Sequence, residues 1–305
     1  MTRRAARKFL HFAVRGPAAS VGGGRRRVGV TCRPSGEGGP MTEFVTSADG
    51  TRIAYDVEGS GPPVILIGGA MQFRGFDPVT VEMAHLLAGH GFTVVNYDRR
   101  GRGESPADAP ITLAQTIDDL RALTDALTEG ADDAVALFGN SSGGSIALAA
   151  AAAGLPVSRL VFFEVPLDEE SGTEGAEYLA GLRERIAAGD RAGTIEFYME
   201  DMPREWLDGA KQSPAWQLML DIAPSLEPDA ESLAWTQSAP RAELCRSITA
   251  PTLALVGEET LPTMTSAAVS VVASMPNAQT RTIPAANHSW EPRTMALTIA
   301  EFLVD

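Results

Sequence analysis

The feature that most constrains the fold of this chain is a serine enclosed by glycines, Gly139-Asn140-Ser141-Ser142-Gly143. The apolar residues 134–138 precede it, and the strong helix formers of residues 146–153 follow. This order predicts a buried strand, a sharp turn and a helix, because the small glycines let strand and helix approach closely. The glycine spacing selects Ser141 as the reactive hydroxyl, since Ser142 would need a glycine where Asn140 stands. The alternative is a pair of serines that only caps a helix.

Strands and helices alternate on both sides of this turn. The runs at 64–67, 92–97 and 159–163 are mostly apolar, which indicates strands covered on both faces, as in a parallel sheet. Helical patterns separate them, so the sequence predicts an α/β fold with a doubly wound, mostly parallel sheet. The remaining predicted elements are a hairpin at 44–57, a strand at 251–257, a helix at 263–273, a last strand at 279–283 and a terminal helix at about 293–303.

Two segments interrupt this alternation. Residues 168–245 are helical in propensity and rich in acidic residues, tryptophan and methionine, and we interpret them as an inserted helical cap. Residues 1–40 carry nine lysines and arginines and one acid, so we expect a disordered basic extension before a native start at Met41. A transit peptide or a nucleic-acid contact is the alternative for this extension. The α/β core is therefore predicted to comprise residues 41–167 and 246–305.

Charge and cysteine content restrict the partners and the compartment. The formal net charge is −14, and the residues beyond 40 contain 16 basic and 38 acidic side chains. Such a surface repels nucleic acid and anionic membranes, and no apolar run approaches the roughly 18 residues of a membrane span. We expect a small-molecule substrate, with no nucleic-acid or membrane partner. The two cysteines, Cys32 and Cys245, predict no disulfide framework and a reducing, cytoplasmic compartment.

A serine hydroxyl becomes a nucleophile only beside a base. Of the four histidines, His11 lies in the basic extension, and His85 and His90 belong to a helix in the first half of the chain. His288 follows the last predicted strand, at the sheet edge where Ser141 is expected. Elimination therefore assigns His288 as the general base, with a purely structural histidine as the alternative.

A carboxylate that orients the histidine completes such a triad, and three acids compete for this role. Glu164 ends a buried strand, where an acid needs a cationic or hydrogen-bonding partner that His288 would supply. Glu259 and Glu258 follow a later strand and remain the alternative acids. We assign Glu164 as the acid on this ground.

With these motifs the chain resembles the α/β-hydrolases over nearly all of residues 43–305. The resemblance rests on the serine turn, on the loop Asp98…Gly101-Arg102-Gly103-Glu104-Ser105, and on the strand Pro251…Gly257 with its late histidine. It implies an oxyanion hole made by two backbone N–H groups, those of Ser142 and Ala70.

Two departures from the family pattern stand out. The chain has Gly68-Gly69 where many α/β-hydrolases have His-Gly, which leaves a backbone donor at Ala70 possible. It also has Thr260 where most members carry the triad aspartate. A threonine cannot hold an imidazolium by charge, so the acid must come from another position.

A narrower resemblance links the chain to fungal zearalenone lactonases and their bacterial relatives. The Gly-x-Ser-Ser-Gly turn is paired with Phe163-Glu164-Val165-Pro166, and Gly257-Glu258-Glu259-Thr260 is similar to the altered loop of that group. The resemblance implies Glu164 as the triad acid. It also implies a cap tryptophan against the substrate, for which Trp206, Trp216 and Trp235 are the candidates.

The sequence thus predicts a serine hydrolase that cleaves carboxylic esters or lactones through a Ser-His-Glu triad and an acyl-enzyme. It predicts no metal or organic cofactor, because no His/Cys/carboxylate cluster has ligand spacing and no dinucleotide-binding glycine motif follows a first strand. Hydrolysis of carbon–carbon bonds or thioesters and cofactor-free perhydrolysis are alternatives on the same triad. A weakly hydrolytic ligand receptor is the alternative outside catalysis.

Overall fold

The computed structural model describes residues 42–128, 134–167, 171–200 and 204–304. The predicted basic extension, residues 1–40, lies outside the described residues. The strands in chain order are β1 Glu43–Thr46, β2 Arg52–Gly59, β3 Pro63–Ile67, β4 Thr93–Tyr97, β5 Val135–Asn140, β6 Val157–Phe163, β7 Thr252–Glu259, β8 Ala278–Ala286 and β9 Ser289–Trp290. They form one sheet in the order β1-β2-β4-β3-β5-β6-β7-β8-β9.

Most of the sheet is parallel. The strands β4, β3, β5, β6, β7 and β8 run in one direction, whereas β1 and β2 at one end and β9 at the other pair antiparallel. The predicted doubly wound, mostly parallel sheet is therefore confirmed. The carboxyl ends of β3, β5, β6, β7 and β8 meet at one edge, which we call the carboxyl edge, and ligands of such sheets bind there.

Helices connect the strands and cover both faces of the sheet. They are α1 Pro78–Ala88, α2 Leu113–Leu127, α3 Ser142–Ala152, α4 Glu174–Ala187, α5 Arg191–Tyr198, α6 Arg204–Gln212, α7 Trp216–Ile222, α8 Glu227–Trp235, α9 Arg241–Leu244, α10 Pro262–Ala273 and α11 Pro292–Val304. Alternate residues of β3 show how the faces divide. Ile65 and Ile67 pack in the cluster that includes α2, α3 and α10, and Val64 and Leu66 pack in the cluster of α1 and α11.

Between β6 and β7 the chain forms α4–α9, which we call the helical insert. Its apolar side chains make a cluster of their own, and this cluster includes Ala70, Met71 and Phe73 from the loop after β3. The helix α8 packs against α3, which begins at the serine turn. The insert is thereby held against the carboxyl edge. Among the described residues, no helix is long and apolar enough to cross a membrane.

The end of the sheet differs from the sequence-based expectation. The predicted last strand, 279–283, extends to Ala286 as β8, and the two-residue β9 follows it. Asn287 and His288 form the tight turn between β8 and β9. A strand of two residues has no periodicity by which a sequence could indicate it. His288 thus lies in a fixed hairpin turn and not in an open loop.

Candidate active site

The serine turn has the strained geometry expected of it. Ser141 lies between β5 and α3 with φ 54° and ψ −128°. A Cβ at Gly139 would lie 2.5 Å from the Gly144 Cα, and one at Gly143 would lie 2.2 Å from the Ile67 carbonyl oxygen. Only glycine fits at these two positions, because any side chain would overlap backbone. The close approach of strand and helix is what raises Ser141 at the carboxyl edge.

The Ser141 hydroxyl is enclosed and unpaired. The residue is 1% exposed, and its Oγ has no hydrogen-bond partner among the described residues. The Nε2 atom of His288 is also buried and without a partner in that part of the chain. Ser141 and His288 therefore do not bond to each other in this structure, although buried polar atoms are nearly always hydrogen-bonded. Catalytic hydrogen bonds often tighten only when a substrate is bound.

The structure joins His288 to Glu164. The Nδ1–H of His288 donates a hydrogen bond of 2.6 Å to Glu164 Oε2. The two side chains are 8% and 2% exposed, so water does not compete for this contact. A donating Nδ1 leaves Nε2 as the acceptor in the neutral ring, which is the tautomer that a general base needs.

Glu164 is held by further donors on the neighbouring strand. Its backbone N–H bonds to the Leu255 carbonyl, and its Oε1 accepts from the Gly257 N–H at 2.9 Å. Burial acts to raise the pKa of Glu164, but His288, the nearby Thr260 side chain and the Gly257 N–H outweigh it and hold the pKa below its usual range. The carboxylate is therefore ionised at neutral pH.

The alternative acids have a different placement. Glu258 and Glu259 are both exposed at the end of β7. The Glu259 carbonyl accepts from the Asn287 N–H at 3.4 Å, so its contact with the β8–β9 turn is made by backbone. Thr260, where most α/β-hydrolases carry the acid, lines the same small cavity as Glu164 and supplies no charge. The geometry thus brings Glu164 together with His288.

Backbone strain marks the same edge. Positive φ angles at non-glycine residues occur, within the described ranges, at Met71 (60°), Ser141 (54°), Glu164 (47°), Asn287 (54°) and His288 (57°). Each such residue costs about 1–3 kcal/mol and persists only where the surrounding structure imposes it. Apart from that at Ser141, this strain was not predicted from the sequence. Its concentration at the ends of β3, β5, β6 and β8 supports a functional site there.

The loop after β3 supplies a second set of groups near Ser141. A Cβ at Gly69 would lie 3.0 Å from the Ser141 Cβ, so this loop passes close to the nucleophile. The Gly69 N–H is occupied by Gln72 Oε1 at 2.6 Å. The N–H groups of Ala70 and Ser142, in contrast, have no acceptor among the described residues.

Three side chains of this region were not identified from the sequence. The Gln72 amide connects the Gly69 N–H, the Asn140 side chain at 2.7 Å and Asp77 at 2.7 Å. Arg102 and Asp229 form a buried ion pair beside the serine turn. Arg102 lies in a motif that the sequence offered, but nothing in the sequence connects it to an acid in the helical insert.

The cap tryptophans are divided between two apolar clusters. Trp216 packs against the cluster of the helical insert, which reaches Ala70, and Trp235 packs against the sheet cluster. The side chain of Trp206 lies outside the described part of the chain. Trp216 is therefore the described tryptophan whose cluster includes the loop after β3.

Comparisons with known proteins agree with this architecture. A family model described as the alpha/beta hydrolase family matches residues 47–299. The crystal structure of an alpha/beta hydrolase from Sphaerobacter thermophilus DSM 20745 is 32% identical, with a TM-score of 0.71 over 85% of this chain and 99% of that chain. No curated protein matches the chain significantly.

More distant structures share the fold. An esterase from Exiguobacterium antarcticum is 18% identical, with a TM-score of 0.61 over 87% of this chain and 100% of that chain. The enol-lactonase from Burkholderia xenovorans LB400 is also 18% identical, with a TM-score of 0.57 over 86% of this chain and 100% of that chain. The fold, the serine turn and the family match together lead to one conclusion. This chain belongs to the alpha/beta hydrolase family.

Proposed function

We propose that the chain is a serine hydrolase that cleaves carboxylic esters, lactones included, through an acyl-enzyme. The observation that carries the proposal is the 2.6 Å hydrogen bond between His288 Nδ1 and Glu164, at the sheet edge where the serine turn holds Ser141. A nucleophile, a base and an orienting acid are the groups that acyl transfer requires. The order serine, acid, histidine along the chain is that of this fold.

The proposed reaction has two stages. Ser141 Oγ attacks the ester carbonyl while His288 Nε2 takes its proton, and the collapsing tetrahedral intermediate expels the alcohol, which receives that proton. Water then attacks the acyl-enzyme with His288 again as the base, which releases the acid and restores Ser141. With a lactone, the alcohol stays attached to the acyl group, and the product is a single hydroxy acid. Glu164 remains ionised throughout and stabilises the imidazolium.

The negative oxygen of the intermediate needs donors, and we assign this role to the N–H groups of Ser142 and Ala70. Ser142 directly follows Ser141, Ala70 directly follows Gly69, which approaches Ser141, and both N–H groups lack an acceptor among the described residues. Gly69 is a poorer choice, because Gln72 already occupies its N–H. One such donor contributes about 3–4 kcal/mol to the transition state. Two donors would therefore account for a large share of the rate.

The surroundings favour a substrate with an apolar group. The small cavity beside Glu164 and His288 has apolar walls from Leu261 and Met264, and a second acid, Glu259, lines it too. Small-molecule sites of this kind are lined mostly by apolar side chains, with a few polar groups that fix orientation. We therefore expect esters of apolar acids or alcohols to be better substrates than charged ones.

The Ser141→Ala variant tests the proposal with p-nitrophenyl acetate and butyrate as substrates. Removal of the nucleophile is expected to lower kcat by at least about 10⁴-fold. Ser145→Ala is the matched control, because Ser145 is equally buried on α3 but bonds only to Ser142 O and the insert. The control is expected to keep most of the rate. Full activity of Ser141→Ala would refute the proposal.

Two further measurements separate the other functions considered for this chain. Product analysis on a panel of lactones, thioesters and carbon–carbon substrates identifies the bond that is cleaved, and hydrogen peroxide in place of water tests perhydrolysis. Covalent labelling of Ser141 by a fluorophosphonate, together with turnover above background, distinguishes an enzyme from a weakly hydrolytic receptor. Labelling without turnover of any ester would favour the receptor.

A further inference from the structure

A buried ionic cluster joins the helical insert to the serine turn. Its members are Arg99 and Arg102 from the loop after β4, and Asp229 from α8 of the insert. Arg99 donates to both Asp229 oxygens at 2.7 and 3.2 Å, and Arg102 donates to Oδ2 at 2.6 Å. All three residues are at most 2% exposed. The cluster therefore acts in a medium where charges interact strongly.

One connection leads from this cluster to Ser142. The Ser142 hydroxyl donates to Asp229 Oδ1 at 2.6 Å. Ser142 is also the first residue of α3, and its backbone N–H is one of the two proposed oxyanion donors. A hydrogen bond between a hydroxyl and an ionised acceptor is short and strong. Asp229, a residue of the helical insert, thus holds Ser142 and with it this backbone donor in place.

A second connection leads to Ala70. Arg102 Nη1 donates to the Gly69 carbonyl oxygen at 2.6 Å and to the Gln72 carbonyl oxygen at 3.1 Å. The Gly69 carbonyl and the Ala70 N–H belong to one planar trans peptide unit, in which they point in opposite directions. A guanidinium that holds the carbonyl therefore orients the N–H away from itself. It also polarises the peptide and makes the N–H a stronger donor.

The net charge of the cluster also favours a negative oxygen near the serine turn. Two guanidinium groups face a single carboxylate, which leaves a net positive charge beside the serine turn. Burial and the neighbouring Arg99 lower the pKa of Arg102 to about 10, so Arg102 stays cationic at neutral pH. Fixed positive charge in a water-excluded site stabilises an anion that develops nearby.

We propose that Asp229 and Arg102 are positioning residues that orient both oxyanion donors, so that docking of the helical insert assembles the oxyanion hole. This inference rests on the proposed function, because it assigns a support to the same site. It gives the helical insert a role in the chemical step in addition to enclosing the substrate. Arg99 completes the cluster by holding the Asp229 carboxylate in place.

Substitutions at position 142 test the Asp229 connection without removing a charge. Ser142→Ala deletes the hydroxyl and keeps the backbone N–H, and we expect kcat to fall about 10-fold with KM nearly unchanged, which is less than the loss of a whole donor. Ser142→Thr keeps a hydroxyl and should restore most of the loss. Ser232→Ala is the control, because it removes buried bonds to Ser145 and to the Asp229 backbone carbonyl but leaves the Asp229 carboxylate and its bond from Ser142 in place.

Lysine substitutions in one loop test the Arg102 connection. Arg102→Lys keeps the charge but cannot reach the Gly69 carbonyl and Asp229 together, and we expect kcat and the rate of Ser141 labelling by a fluorophosphonate to fall about 10- to 100-fold. Arg100→Lys is the matched control. Arg100 is equally buried but pairs with Asp119 and Asp49, and its side chain makes no bond to the loop after β3 or to Asp229. Both rates should therefore remain close to those of the unchanged chain.

The outcomes distinguish this inference from the proposed function. Unchanged kcat and labelling rate in folded Ser142→Ala and Arg102→Lys, with Ser141→Ala inactive, would overturn the inference and leave the proposed function standing. An equal loss in Ser232→Ala or Arg100→Lys would overturn it as well, because the effect would then be general destabilisation. If the unchanged chain shows neither turnover nor labelling that depends on Ser141, both the proposed function and the inference fail.

Discussion

Ser141 lies between two supports that come from different parts of the molecule. On one side, Glu164, Thr260 and His288 all belong to the ends of β6, β7 and β8, within the sheet. On the other side, the cluster that reaches Ser142 and the Gly69–Ala70 peptide includes Asp229 of the helical insert. The histidine side is thus built by the sheet alone, whereas the oxyanion side also needs the insert.

The two supports also have different energetic costs. On the histidine side the main cost is backbone strain, since Glu164 and His288 have positive φ, at about 1–3 kcal/mol each, and the Glu164 carboxylate is buried as well. On the oxyanion side Met71 is also strained, but the larger cost is desolvation of three charged groups, which their mutual attraction often fails to offset. Packing of the sheet can hold the first side in place without the insert. The oxyanion side forms only when the insert is docked, so it depends on the insert as the histidine side does not.

The largest effect is expected on the histidine side. Glu164→Gln keeps the size of the side chain but removes its charge, so the imidazolium loses its partner and the favoured tautomer of His288 changes. We expect kcat to fall by about 10³- to 10⁴-fold on p-nitrophenyl butyrate. Glu259→Gln is the control at an exposed position, with kcat expected to stay close to that of the unchanged chain. A collapse of the rate in Glu259→Gln, with Glu164→Gln active, would reverse the assignment.

A smaller effect, mainly on stability, is expected on the oxyanion side. Asp229→Asn leaves two buried guanidinium groups without a counter-charge, and the free energy of unfolding should fall by about 3–5 kcal/mol in urea titrations. Asp119→Asn removes the buried one of the two acids that pair with Arg100 and should also destabilise the fold. In assays under conditions where both variants are folded, kcat should fall in Asp229→Asn but not in Asp119→Asn. Equal rates would show that the insert does not support the chemistry.

The same variant has a distinct dependence on pH. Burial acts to raise the pKa of Asp229, but Arg99, Arg102 and the Ser142 hydroxyl hold it below the usual value. A pKa lowered in the folded state stabilises the fold above the unfolded value of about 4, and this stabilisation is lost as the pH falls through the folded pKa. The stability difference between the unchanged chain and Asp229→Asn should therefore be full at neutral pH and shrink below about pH 4.

The same contrast explains how much could be predicted from the sequence. The serine turn is local, so the Gly139–Gly143 spacing and its flanking strand and helix were sufficient. Glu164 could be predicted because it ends an apolar run. His288 could be predicted because the chain has few other histidines. These groups lie on elements whose order fixes their positions at one sheet edge.

The oxyanion support could not be predicted in this way. Asp229 lies in a helix of the insert, and neither periodicity nor spacing indicates which face of that helix meets α3. Arg102 stood in a recognised loop, but its target is a backbone carbonyl, which no residue type marks. The strain at Met71, Glu164 and Asn287 was also not predictable, because it results from tertiary packing and not from local propensity.

The smallest effect is expected at Thr260. A substitution there separates the contribution of the Glu164 charge from the contribution of its position. Thr260→Val is close in shape but lacks the hydroxyl that helps to lower the pKa of Glu164. Because His288 and the Gly257 N–H still hold the carboxylate, about 1 kcal/mol or less should be lost, which is at most a fivefold decrease in kcat. Thr260→Ser retains a hydroxyl and should behave as the unchanged chain in the same assay. A loss as large as that of Glu164→Gln would instead mean that Thr260 determines the position of the acid. The Thr260 hydroxyl carries no charge, so it could lower the rate that far only by positioning the Glu164 carboxylate.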